Sequence, residues 1–451
     1  MDRRTSLKLL LAPLLAGGLA LHGNTSPGRR NERILIVGAG VSALGAAEHL
    51  REAGFENITI LEARDRVGGR VWTSNIWRDV PVDLGASWIH GPRRNPIAEF
   101  AREAGARTMR TDWDNERTFT VDGGSLSRDT ERSLSRLTRQ LYGWAVNAGN
   151  HDGATLAEVV ARKFGRRQDV SAYDLDYVLN QMIEGSLAAD VEELAANAYA
   201  FGKELSGGDV LFPGGYMSVF RDRFARLDIR TGQRVTKVQR RGTEIVVETS
   251  GQTYVADRVL ITLPLGVLKA GEVAFDPLLP TDQMAAINRH GMGCLNKLYL
   301  KFDHVFWPHE VEGFSYRGTV PGEWSQWLNL AAYTGKPVLL AFNSGSFGRA
   351  IESRTDAALV DQAMNVVRAM MGSQAPDPTD FQITRWHSDP LSRGSYSFIA
   401  PGVNRRSIQT MARPVGDRLF FAGEATVPDY PSTVHGAYLS GRREAERILS
   451  I

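Results

Sequence analysis

A single cysteine, Cys294, stands in 451 residues, which excludes an internal disulfide and any multi-cysteine metal site. Nine histidines are scattered without ligand spacing, so zinc, haem and serine-triad arrangements have no support and no metal is expected. An excess of charge of one sign is missing as well. The formal net charge is +2, and downstream of residue 30 no Lys/Arg block is interleaved with aromatics, so nucleic-acid binding has no support. Nothing in that stretch is long and apolar enough to span a bilayer. What is there is 43% apolar and 23% charged, ordinary for a globular protein but too long for one compact core, and two domains are expected.

The first thirty residues read as an address. Asp2-Arg3-Arg4-Thr5-Ser6-Leu7-Lys8 resembles the twin-arginine export signal, with Ser6 in place of the usual aromatic, and Leu9 to Leu21 is an apolar core interrupted by Pro13, Gly17 and Gly18. That route carries proteins already folded around a cofactor, so the expected location is periplasmic or extracellular. No A-x-A cleavage site precedes Arg29. An uncleaved N-terminal membrane anchor therefore stays open, as does a cytoplasmic chain.

The run Arg33 to Leu50, RILIVGAGVSALGAAEHL, specifies a ligand. Ile34 to Val37 suit a strand buried on both faces. Gly38 allows the turn out of it, and Gly40 lets a pyrophosphate approach the backbone at the N-terminus of the helix that Ser42 and Ala43 begin. Ala43 takes the third glycine position, where close helix–strand packing is the requirement. A second strand, Ile58 to Leu61, ends in Glu62, 22 residues past Gly40, about where an acid hydrogen-bonds the ribose of an adenine dinucleotide. These residues leave NAD and FAD both open.

The next run decides between them. Ala63-Arg64-Asp65-Arg66-Val67-Gly68-Gly69-Arg70 brings paired glycines and guanidinium groups to the pyrophosphate, and strongly resembles the second signature of FAD-dependent amine oxidases. Asp83-Leu84-Gly85-Ala86-Ser87-Trp88-Ile89-His90-Gly91 resembles the segment that in polyamine and spermine oxidases runs along the flavin into the active site. The resemblance implies cofactor contacts from Ala63, Arg64, Gly69, Arg70, Gly85, Ala86, Ser87 and Trp88, and places His90 at the pocket mouth. It also puts the backbone at Val235 against adenine and Trp386 beside the flavin. Leu263 to Leu268 resembles the strand exit leading back to the substrate domain.

Met292 to Phe302, MGCLNKLYLKF, alternates like a strand around Lys297, and resembles the family segment whose lysine faces the flavin N5 through a water. Where monoamine oxidase tethers the flavin through a cysteine, this chain has Ser395, so FAD is expected to be noncovalent. Tyr396 matches one wall of the amine-orienting aromatic cage, and the other wall corresponds to Thr433, as is common in the polyamine oxidase and histone demethylase branch. Leu419 to Ala425 followed by Tyr430 to Ala437 resembles the last FAD signature. There Gly423 and Glu424 reach the ribityl chain, and Thr433 and Val434 lie at the pyrimidine end, at the start of a helix whose dipole favours charge on reduced flavin.

The resemblance covers the chain from about residue 31 to its end. It implies an α/β fold with a Rossmann-type FAD-binding domain (31–94, 207–285 and 386–451) and an interleaved α+β substrate domain (95–206 and 286–385), after the signal or anchor at 1–30. The partners it implies are a small-molecule amine and O2. The amine is oxidised by hydride transfer to FAD, the iminium is hydrolysed to an aldehyde, and O2 leaves as peroxide, with Lys297, His90 and Tyr396 as the catalytic set. An amino-acid oxidase on the same scaffold, which needs a pocket arginine, and a non-catalytic FAD-binding protein are the rival readings. Helical spacing of Leu134, Leu137 and Leu141, and of Leu156, Val159 and Val160, marks the first half of the substrate domain. Its acids Glu184, Asp190, Glu192 and Glu193 are expected on a solvated helix face, with attraction of a cationic substrate as the alternative.

Overall fold

The computed structural model describes residues 29–149, 153–165, 167 and 169–451; the arginine pair at Arg3 and Arg4 and the apolar stretch after it lie outside them. The strand Ile34–Val37 is buried along its whole length and sits at the centre of a five-stranded parallel sheet. The order is Leu419–Phe421, Arg258–Ile261, Ile34–Val37, Ile58–Leu61, Ile229–Arg230. Ile34 stands opposite Ile58 on one side and Arg258 on the other. With every pairing parallel, all five carboxyl ends open on one side, where open α/β sheets bind their ligands.

The two faces of this sheet are covered differently. Ile34 and Ile36 pack under the helices Val41–Glu52 and Val434–Ser450 through Ala43, Ala46, Ala445 and Ile448. Leu35 and Val37 face a four-stranded sheet and the helix Thr281–Arg289 through Val238, Val247, Ala286 and Ile287. The two covering helices cross in close contact because each carries glycine at the crossing. A Cβ on Gly45 would lie 2.4 Å from the Tyr438 carbonyl oxygen, and one on Gly441 would lie 1.9 Å from that of Ser42. Ser42 itself hydrogen-bonds Ser440 across the crossing at 3.0 Å.

A second, six-stranded sheet runs Asp380–Ile383, Leu295–Lys301, Val338–Ser344, Gln326–Asn329, Gly313–Arg317, Glu116–Thr120. Leu298 and Leu300 pack on the helix Asp356–Met371, while Tyr299 on the opposite face packs against Trp77, Val82 and Leu84. Leu295–Lys301 is therefore buried on both faces rather than half-solvated. The helices Arg128–Ala145, Leu156–Phe164 and Ala172–Leu179 start at the caps Ser127, Thr155 and Ser171. All six of their expected core residues are buried, five of them in one cluster that also takes in Phe398, Ile399, Val403 and Ile408 from the C-terminal third. The stretch Leu263 to Leu268 leaves the strand Arg258–Ile261 through Pro264 and opens the helix Leu265–Ala270. No described helix is long and apolar enough to cross a membrane.

Candidate active site

The nucleotide end of the site is lined by glycines. Gly38 turns at φ +99°, and a Cβ there would meet Thr262 Oγ1 at 2.8 Å. Gly40 is the N-cap of Val41–Glu52, and no atom lies within 4 Å of where its Cβ would point. Gly69 faces the same opening, its nearest neighbour being Gly40 Cα at 3.4 Å. A side chain at either position would fill the cradle that a pyrophosphate needs. Glu62, buried at the end of its strand, accepts the Ala39 N–H at 2.8 Å and the Arg64 N–H at 2.9 Å. Arg66 adds the charge: one guanidinium nitrogen donates to Gly69 O at 2.8 Å, the plane lies 4.3 Å over Trp72, and Nη2 is buried without a partner. Burial lowers its pKa to about 10. An unpartnered guanidinium nitrogen beside an open glycine cradle fits an anionic ligand, so the residues present fit the diphosphate of FAD.

Not every residue expected on the cofactor is free to reach it in the same way. Arg64 gives Nη2 to both oxygens of Asp389, at 2.8 and 2.9 Å. Ser42 belongs to the helix crossing, and Ala43 packs beneath it. Val235 is a buried residue opening the strand Val235–Arg241, close to the Gln233 N–H that donates to Glu62 O at 2.7 Å.

At the other end Glu424 is buried at the centre of a polar knot. Oε1 accepts from Arg70 at 2.9 Å and from the Ser397 N–H at 3.2 Å, while Oε2 accepts from Ser397 Oγ at 2.6 Å and from the Ser432 N–H at 3.1 Å. Gly423, at φ +142°, leaves open space over this knot. Arg70 also donates to Ser395 O at 2.9 Å. Thr433 caps the helix Val434–Ser450, accepting the Gly436 N–H at 3.0 Å. The contact of Ser397 Oγ with Ser432 Oγ, 3.4 Å, brings the Tyr396 and Thr433 segments together. Tyr396 donates to Ser186 O at 3.1 Å.

Lys297 is buried, and its three donors are all used on the segment that resembles the flavin-lining run: Asp83 O at 2.7 Å, Gly85 O at 2.6 Å and Ser87 Oγ at 2.6 Å. Its nitrogen lies 5.8 Å over the Trp88 ring. Burial lowers its pKa to about 8 against the opposing pull of Asp83. Trp386 closes one side, donating its indole N–H to Leu84 O at 3.1 Å and standing edge-on to Trp72 at 6.1 Å. Ala86 joins the apolar cluster beneath Ile89. At the rim, His90 is half exposed with Nδ1 3.0 Å from the buried Asp209, whose second oxygen accepts from Trp113 at 2.9 Å. Behind it His435 is buried, and burial followed by the nearby His90 lowers its pKa to about 4, so it stays neutral.

Three groups escaped the sequence reading. Asp209 stands directly across the ladder from His90, but nothing in its local run DVLFPGG marks it as a histidine partner. Glu184 ends a π-turn, Asn180–Glu184, instead of lying on a solvated face: it accepts from Asn180 Nδ2 and from the Val191 N–H, both at 3.0 Å, and burial raises its pKa to about 7. Asp190 and Glu193 are likewise committed, to Arg349 at 3.3 and 2.9 Å. Asp83 was visible only as the first letter of a cofactor run. Among the described residues no cluster of His, Cys, Asp and Glu could hold a metal.

Comparison with known proteins agrees with this geometry. The family model for flavin-containing amine oxidoreductases matches residues 42–449. The chain is 35% identical over 435 residues to polyamine oxidase 2 of Arabidopsis thaliana, covering 92% of this chain and 88% of that protein. It is 34% identical over 452 residues to polyamine oxidase 4 of Oryza sativa subsp. japonica, at 96% and 92% coverage. A rice lysine-specific histone demethylase 1 homolog 2 is 33% identical over 444 residues, a match that spans 94% of this chain and 58% of that protein. A solved structure of wild-type putrescine oxidase bound to putrescine shares the fold, with a TM-score of 0.77 at 20% identity over 93% of this chain and 99% of that one. The chain belongs to the flavin-containing amine oxidoreductase family and is an FAD-dependent amine oxidase.

Proposed function

We propose that the substrate is a polyamine or its acetylated form rather than a simple monoamine. The observation that carries this reading is the pair His90 and Asp209 at the rim, 3.0 Å apart. A long cation needs a reacting end held inside and a second nitrogen held at a distance. The carboxylate fixes Nδ1 and leaves the other ring nitrogen for a hydrogen bond to a substrate amine. The names of the plant relatives point the same way.

Bound FAD would supply the redox chemistry, a two-electron oxidation of the amine at its α-carbon with O2 as the electron acceptor and hydrogen peroxide as the by-product. Around it Glu62, Arg66, Arg70 and Glu424 bind the dinucleotide, and Ser395, lacking a thiol, leaves it noncovalent. Trp88 and Trp386 exclude water, Tyr396 orients the amine, and Lys297 holds a proton within reach of the flavin-lining run. Losing a charge-assisted contact costs about 1.5 to 3 kcal/mol, roughly ten- to hundredfold in specificity constant. His90→Ala is therefore expected to lower kcat/KM for spermine or spermidine by that factor and to leave benzylamine nearly unchanged. Equal losses on both, or faster native turnover of benzylamine or of an amino acid, overturn the assignment.

We also infer export by the twin-arginine route, supported by Arg3-Arg4 and the apolar run behind them. Replacing both arginines by lysine keeps the charge and removes the motif. Folded, yellow protein should then accumulate in the cytoplasm, and unchanged fractionation rules the route out.

A further inference from the structure

We propose that Asp83 is a positioning residue: its carbonyl seats the Lys297 ammonium, and its buried carboxylate supplies the nearby negative charge that keeps that lysine protonated when the amine binds. The proposal rests on Lys297 as the proton-holding group and is independent of which amine is oxidised. Asp83 contributes to the site twice. Its carbonyl oxygen accepts from Lys297 Nζ at 2.7 Å and from Tyr299 Oη at 2.6 Å. Its carboxylate points the other way, into the protein, where Oδ1 accepts the Tyr216 N–H at 2.9 Å and the Thr73 hydroxyl, and Oδ2 lies 3.2 Å from the same N–H.

One backbone N–H and one hydroxyl do not compensate a buried carboxylate; a cation is required. Conversely, the three acceptors around Nζ are neutral oxygens, so they bind the ammonium but bring no opposite charge. The two groups answer each other's need. The titratable groups facing the carboxyl are Lys297 and Tyr299 from the strand Leu295–Lys301 and Tyr216 from the turn after Gly215. Burial raises both tyrosines well above the usual phenol range, so they stay neutral. Burial also pushes Asp83 up to about 6 and Lys297 down to about 8, which leaves a window between those values in which both are charged. The sign follows from this. Removing the negative charge removes the one field that favours the ammonium, so the Lys297 pKa falls further.

The test uses the FAD-loaded protein. The absorbance of bound oxidised FAD is titrated with pH, and flavin reduction by spermidine and reoxidation of dithionite-reduced enzyme by O2 are followed over the same range. Lys297→Met identifies which spectral step and which rate limb belong to the lysine. Asp83→Asn keeps the shape and can keep both contacts to Oδ1, so it is expected to move that step and that limb down by about one pH unit. Tyr299→Phe, which releases the same carbonyl without touching charge, is expected to leave them in place. If Asp83→Asn does not retain FAD, Thr73→Val carries the test: losing the hydroxyl raises the carboxyl pKa, and the lysine step moves down by a smaller amount. A lysine step at its native pH in the Asp83 or Thr73 variant overturns the proposal. No lysine-dependent step in either half-reaction or in the spectrum overturns the reading of Lys297 itself.

Discussion

Lys297→Met should retain FAD and slow flavin reduction, reoxidation or both by at least tenfold, since a positioned proton-transfer group contributes roughly a hundredfold or more. Methionine matches the length of the lysine stem and brings no charge into a site that already disfavours one. What it leaves behind are Gly85 O and Ser87 Oγ without the lysine donor, while Asp83 O keeps Tyr299 Oη, each unpaired group costing about 1 to 3 kcal/mol where water cannot replace the donor. The protein therefore folds with a loosened flavin-lining segment and without a proton source beside it. Stopped-flow spectra of both half-reactions check this, and native rates in both would falsify a chemical role for the lysine.

The other large effect belongs to a residue that touches no ligand. Gly441→Ala adds one methyl group, yet it places a carbon 1.9 Å from the Ser42 carbonyl oxygen, far inside van der Waals contact. Backbone cannot swing aside as a side chain tip can, so the helix Val434–Ser450 must lift off Val41–Glu52, displacing Gly40 and Thr433, which start them. Overpacking of a tight core costs about 1 to 3 kcal/mol, occasionally more. The expected result is a fall in melting temperature together with release of FAD at a lower temperature, read from flavin fluorescence. Gly143→Ala in the helix Arg128–Ala145, where a Cβ meets nothing within 4 Å, should instead leave stability unchanged or raise it by up to about 1 kcal/mol. Equal behaviour of the two variants would remove the helix crossing as the explanation.

What the sequence revealed and what it hid divide along chain separation. Ile34 to Val37, Gly38, Gly40 and Glu62 are consecutive instructions for one strand, one turn and one acid, so their order was readable. The caps Ser127, Thr155 and Ser171 and the apolar spacing of the helices they start are local in the same sense. Partners are not: Lys297 finds its three acceptors 210 to 214 residues away, His90 finds Asp209 at a separation of 119, and Asp190 meets Arg349 at 159. An isolated acid looks solvated until its partner arrives, which is why Asp190 and Glu193 read as a surface; Glu184 has its partners, Asn180 and the Val191 N–H, close by, and what hid it is the π-turn it ends. Ser42 likewise finds its hydrogen-bond partner far along the chain, at Ser440 in the helix Val434–Ser450.

The crossing of the first and last helices also sets a timetable. The chain offers its glycine loop and Glu62 within the first 62 residues, but the strand Leu419–Phe421, Glu424 and the helix that clamps Val41–Glu52 come at the other end. Between Glu62 and Leu419 a growing polypeptide thus carries only half a nucleotide cradle. The dinucleotide has a complete seat only once the helix Val434–Ser450 is made and docked, so cofactor loading is expected to follow synthesis of that helix rather than of the glycine loop.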